Sequence, residues 1–127
     1  MTELQYGNWN NMPWQYFAEG MTRKMIGTEA KYANIAINKI QNNSAKKPHS
    51  HANQEQILMI LQGECDVYLD GKPFRMCAGS WIAIPEGVEH YMDVYDSPEP
   101  VINMNVFSPI NEPYNDSYRE FIKDYRK

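Results

Sequence analysis

Cysteine and histidine are both scarce in this 127-residue chain, with two of the first and three of the second. Two cysteines, Cys65 and Cys77, cannot build the dense disulfide framework of small secreted domains. Positive charge is also short: 12 Lys and Arg stand against 16 Asp and Glu, for a formal net charge of −4. Phosphate binding needs a concentrated basic face, so no nucleic-acid partner is expected. No apolar run approaches the ~18 residues of a membrane span, and no charged-then-apolar leader opens the chain. The expectation is a soluble, cytoplasmic protein with no membrane contact. Repeats and low-complexity tracts are missing too. What is present is 43% hydrophobic and 13% aromatic residues, enough for one domain with one core over residues 1–127.

Short apolar segments with polar turns between them dominate. They read "MTRKMI", "YANIAINKI", "QILMILQG", "CDVYL", "PFRMC", "SWIAIP", "EHYMDV" and "VINMNVF". Spacing of ~8–12 residues with Gly or Pro at the breaks predicts an all-β sandwich or barrel. Asp70-Gly71 is a strong hairpin signal. A two-residue turn there pairs Leu69 with Lys72 and sets the cysteines on opposite faces; a three-residue turn sets them opposite each other. Either way, two free, buried thiols acting as small apolar fillers are expected. The methionines, including Met59, Met76, Met92 and Met104, are likewise expected as core fillers. At the C-terminus, Ser117 and Glu120 make a capping-box pattern, and Tyr118, Phe121, Ile122 and Tyr125 form one apolar stripe. That predicts a short helix near residues 117–126, laid against the outside of the barrel.

All three histidines fall in two compact blocks. His49 and His51 are two apart, so on an extended strand both imidazoles reach one point. His90 follows "GSWIAIPEGVEH", in which Gly79 opens a connection and Pro85 and Gly87 form a turn before the next strand. Two candidates for a further ligand, Glu55 and Gln56, stand just after the first block. Strand parity favours Glu55, since residues 49, 51, 53 and 55 share a face on an unbroken strand.

These blocks together resemble the two motifs of the cupin superfamily. His49, His51 and Gly63 match the first; Gly79, Pro85, Gly87 and His90 match the second. Asn43 stands at the first motif's leading glycine and Val94 at the second motif's closing asparagine. The resemblance implies a small antiparallel β-barrel over residues 14–108, jelly-roll-like, with one divalent transition metal inside. It also implies a homodimer, formed through strands near the aromatic "NWNNMPWQYF" segment. The family leaves six residues between its fourth ligand and the glycine, and Ile57 to Gln62 are six. That spacing selects Gln56 over Glu55, with a bulge in "ANQE" resetting the parity. The implied ligand set is His49, His51, Gln56 and His90. Imidazole-rich ligation suits Zn, Ni, Fe, Mn or Cu, and neutral ligands leave the ion strongly Lewis-acidic.

Within the superfamily, "HSHANQEQILMILQGE" and "NMNVFSPINEPY" resemble the small cupins of pectin and alginate breakdown, which open 4,5-unsaturated monouronates. Their ending survives here at Phe107, Pro109 and Tyr114, but Asn105 replaces an aspartate, Asn111 an arginine, and Pro113 the last acid. Asparagine cannot move a proton, and Asn111 cannot grip a carboxylate in two places. Arg23 and Arg75 are the candidates to replace that grip, though nothing in the spacing sets either inside. Motif position assigns Asn105 and Phe107 to the substrate pocket, with Asn105 orienting substrate or water. Glu55 and Tyr91 are the candidate proton shuttles. The expected function is an isomerase- or lyase-like enzyme acting on a small oxygenated molecule of the sugar-acid or keto type. A metal-dependent dioxygenase and a non-catalytic small-ligand binder are the alternatives.

Overall fold

The eight apolar segments become strands in the computed structural model, which describes residues 4–125, and Gln15–Ala18 adds a ninth. They are β1 (Gln15–Ala18), β2 (Met21–Ile26), β3 (Asn34–Ile40), β4 (Glu55–Gln62), β5 (Glu64–Leu69), β6 (Lys72–Cys77), β7 (Trp81–Ile84), β8 (His90–Asp93) and β9 (Val101–Ser108). A helix, α1 (Glu112–Tyr125), follows. All pairings are antiparallel. One sheet has the order β1-β2-β3-β9-β4-β7 and the other β6-β5-β8. The architecture is the antiparallel jelly-roll barrel that the strand pattern and the motifs predict. Among the described residues no helix is long and apolar enough to cross a membrane.

The β5–β6 hairpin takes the two-residue turn. Asp70 (φ 47°) and Gly71 (φ 80°) are both left-handed, as a type I′ turn requires, and Leu69 pairs with Lys72. Cys65 therefore pairs with Met76, and the two cysteines face opposite sides. Cys65 is fully buried, and burial pushes its thiol up to about 12. Cys77 is exposed, which corrects the expectation of two buried thiols. The register moved it to the solvent side.

The inward face of the large sheet is partly polar. It carries Arg23, Asn38, Asn103 and Asn105, whereas Ile57, Leu61 and Trp81 are exposed on the other side. Met59 and Met104 share that outer face by register, so only Met76 and Met92 of the four methionines join the core. Apolar packing inside is divided into two clusters. Ile40, Leu58, Ile60, Val67, Val94 and Val101 form one; Met25, Ala36, Phe107 and Tyr118 form the other. Each fully buried aliphatic or aromatic side chain contributes about 1.5–3 kcal/mol, which holds the barrel closed around the polar space left between.

The helix departs from its predicted start and position. It begins at Glu112, because Asn111 caps it: Asn111 Oδ1 accepts from Tyr114 N at 3.1 Å, and Pro113 is tolerated in the first turn. Ser117 is thus interior to the helix, and its hydroxyl accepts from Gln15 Nε2 at 2.9 Å. Tyr118 is buried against Met25, Ala36 and Phe107, whose strand parity is that of the inward face. So the helix closes one end of the barrel and does not lie on its outside. The side chain of Tyr125 and the predicted helix end at residue 126 lie outside the described residues.

Gly63 joins the two sheets at φ 88°, and a Cβ there would stand 2.9 Å from Ser97 Oγ and 3.0 Å from Val101 Cγ2. Only glycine meets both conditions without strain. Gly63→Ala should destabilise the fold by on the order of 2 kcal/mol, read as a lower melting temperature. An unchanged melting temperature would contradict it.

Candidate metal centre

The two histidine blocks are joined through the backbone. His49 N donates to His90 O at 3.0 Å and His90 N to His49 O at 2.8 Å, an isolated antiparallel bridge. Gly87 N donates to His51 O at 3.0 Å, so the turn before β8 also holds the first block. The ligand atoms of His49, His51 and His90 consequently lie within 4.8 Å of one another.

Their hydrogen bonds aim them. His49 Nδ1 lies 3.0 Å from Lys47 O, and His90 Nδ1 lies 3.0 Å from Val88 O. A carbonyl only accepts, so each Nδ1 carries the proton and each Nε2 keeps its lone pair. His51 Nε2 and His90 Nε2 are buried with no protein partner. Burial first, then the neighbouring imidazoles His49 and His90, push His51 down to about 4. Burial also lowers His90, against the bond to Val88. These two rings are neutral near pH 7 and ready to donate to a cation.

The chain does not run unbroken from His51 into β4. Asn53 takes a left-handed φ of 58°, so residues 52–53 turn before the strand begins at Glu55. Glu55 is exposed and absent from the cavity wall, while Gln56 is buried and lines it. The turn replaces the predicted bulge and has the same effect on parity. Glu55, a candidate proton shuttle, therefore lies on the solvent side of the strand in this structure. Gln56 Nε2 donates to Asn105 Oδ1 at 2.8 Å, and Gln56 Oε1 is buried without a partner. Asn105 thereby fixes which end of the amide is left free.

The cavity behind the histidines measures about 460 Å³, within the usual range for a small-molecule site. Asn105, Phe107 and Tyr91 line it, and Tyr91 also stacks on Tyr68 with ring centroids 4.6 Å apart. Among the described residues no aspartate or glutamate lines it. Asn111 caps the helix instead of facing the cavity, and Arg75 is outside, paired with Glu64, Asp66 and Asp96. Arg23, named only as one of two candidates for the missing grip, lines the cavity together with Tyr114 of the motif ending and with Asn38, which sequence reasoning missed. The period-2 face Met21, Arg23, Met25 on β2 carried the signal for Arg23, an inward cation between two methionines.

The three histidines form a group of the kind that could hold a metal ion, and the comparisons with known proteins account for the barrel around it. Residues 37–107, more than half of the chain, match the Cupin domain family, and the chain belongs to it. Its structure is similar to that of KdgF from Halomonas sp., with a TM-score of 0.79 and 22% identity over 88% of this chain and 99% of that one. An RmlC-like cupin from Shewanella frigidimarina gives a TM-score of 0.77 and 21% identity over 90% and 99%. An uncharacterized protein from Aquifex aeolicus is 29% identical over 66 residues. That match covers 52% of this chain and 53% of the relative, so the chain aligns with about half of that relative's length.

Proposed function

We propose that this cupin is an enzyme that holds one divalent metal through His49, His51, His90 and Gln56 and acts on a small oxygenated substrate. The observation that carries this reading is a set of three buried acceptors, His51 Nε2, His90 Nε2 and Gln56 Oε1, unpartnered in one cavity. Buried acceptors left unpaired cost about 1–3 kcal/mol each, and a shared cation relieves all three. When bound, the ion supplies Lewis acidity, since neutral ligands leave its charge free to polarise a carbonyl or enol oxygen. Asn105 holds Gln56 and faces substrate, and Phe107 forms an apolar wall. Without a carboxylate in the cavity wall, proton transfer falls to the phenols, with Tyr91 the candidate donor and acceptor. Unsaturated uronates are the substrates suggested by the motif resemblance and by the likeness to KdgF.

The ligand set has a direct test in the metal content of the purified protein. About one metal per chain is expected, retained in Glu55→Ala and lost in Gln56→Ala; the reverse pattern would sink the assignment. Zinc as the sole metal would also exclude an oxygen-activating dioxygenase, which needs redox-active Fe, Cu or Ni.

Turnover of 4,5-unsaturated monouronates tests the reaction. Ring opening by the wild-type protein is the expected result. Inactivity of the wild type together with activity in Asn105→Asp would show that this chain lost the reaction with its aspartate.

A homodimer completes the reading. The resemblance implied contact near the N-terminal aromatic segment, where Trp9 (45%) and Tyr16 (68%) are exposed. The outer face of the large sheet also exposes Ile57 (43%), Leu61 (45%) and Trp81 (70%), on β4 and β7, and a second copy is the proposed cover of this face. Sedimentation should give a dimer for the wild type and a monomer for Leu61→Glu; a monomeric wild type would refute it.

A further inference from the structure

Arg23 is 7% exposed, lines the cavity, and forms no ion pair among the described residues. Its guanidinium lies between two rings, 4.5 Å from the centroid of Phe17 and 4.3 Å from that of Tyr114. Its one protein hydrogen bond runs from Nε to Gln15 Oε1, at 3.5 Å. An arginine stays charged even when buried, so this cation sits uncompensated in the barrel. Its neighbours on the same rung are polar as well. Register places Gln15 beside Arg23, Arg23 beside Asn38, and Asn38 beside Asn103, across β1, β2, β3 and β9. Asn38 Oδ1 and Asn103 Oδ1 are both buried with no hydrogen-bond partner. Asn103 Nδ2 is occupied by Met92 Sδ at 3.6 Å, which turns its oxygen away from that contact.

We propose that Arg23, Asn38 and Asn103 form a second subsite, which takes the carboxylate and hydroxyl groups of a small hydroxy acid. The guanidinium nitrogens not used by Gln15 are left to bind an anion, and the two unpartnered amide oxygens to accept from hydroxyls. Tyr114 links this subsite to the histidines: its ring is 4.3 Å from the Arg23 guanidinium and 6.2 Å from the His51 ring centroid. One aromatic ring thus separates the anion-binding end from the metal-binding end, so a single small molecule spans both. The subsite rests on the reading of this cavity as a small-molecule site. It supplies the cation that the helix cap Asn111 does not, from β2 and from the opposite end of the chain.

The test uses D-glucuronate and D-glucose as probes, a sugar acid and its uncharged counterpart. Binding is measured by calorimetry on the full chain, with metal content recorded for every variant. The wild type should bind glucuronate at least about tenfold more tightly than glucose, the worth of one charge-assisted contact. Arg23→Gln should abolish that preference without loss of metal, and Arg23→Lys should restore part of it. Asn38→Asp, which sets a carboxylate beside the guanidinium, should also weaken glucuronate more than glucose; it serves as the test if Arg23→Gln does not fold. Equal binding of the two probes by the wild type would overturn the subsite, as would a preference that survives in both Arg23→Gln and Asn38→Asp. A preference for glucuronate in a protein that takes no metal would uphold the subsite and refute the metal reading instead.

Discussion

The backbone bridge between His49 and His90 is the constraint on which the site depends. Two hydrogen bonds, 3.0 and 2.8 Å long, join segments that are far apart in sequence and put their imidazoles side by side. The third imidazole is carried in by Gly87, whose amide holds His51 O. Because these bonds use only main-chain atoms, the side chains remain free to turn inward. The Nδ1 contacts with Lys47 O and Val88 O then settle which nitrogen faces the cavity. Loss of the bridge would leave the two histidine blocks tied only through the hold of Gly87 N on His51 O.

That arrangement requires a barrel whose inner face is partly polar, which works against its own stability. Arg23, Asn38, Asn103, Asn105 and Gln56 all turn inward, and several of their polar atoms lack a protein partner. Two apolar clusters, one at each end of this polar space, offset the cost by burying aliphatic and aromatic side chains. The helix belongs to this solution, since Tyr118 completes one cluster and Tyr114 reaches from the same helix into the cavity. Stability and site share residues, so the chemistry is not confined to a loop grafted on a finished core.

Features governed by local rules were legible in the sequence. Asp70-Gly71 marked a hairpin turn, and the structure chose the two-residue form and with it the register. Strand parity favoured Glu55, whereas the spacing to Gly63 implied by the family resemblance pointed to Gln56, the one that the turn at Asn53 brings into the cavity. Features governed by partners distant in sequence were not legible. Asn111 caps the helix and meets Asn34 and Gln54, a set of contacts that no local pattern announces. Cys77 lay in an apolar segment and still ended on the solvent side, because exposure is decided by what covers a strand.

Alone, the sequence determined the strand spacing, the turn chemistry and the two blocks that carry all three histidines. Period-2 geometry and left-handed turn residues act over a few positions, so they can be read without knowing the fold. Tertiary structure decided which face of each strand became the inside. On β2 the choice lay between Met21, Arg23 and Met25 and the alternate set Thr22, Lys24 and Ile26, two faces of mixed polarity. Pairing of β2 with β3 and of β3 with β9, and the closure of the barrel end by α1, turned the first set inward. Arg23 and the histidines meet in one cavity for that reason, through cross-strand register and packing that no stretch of sequence contains.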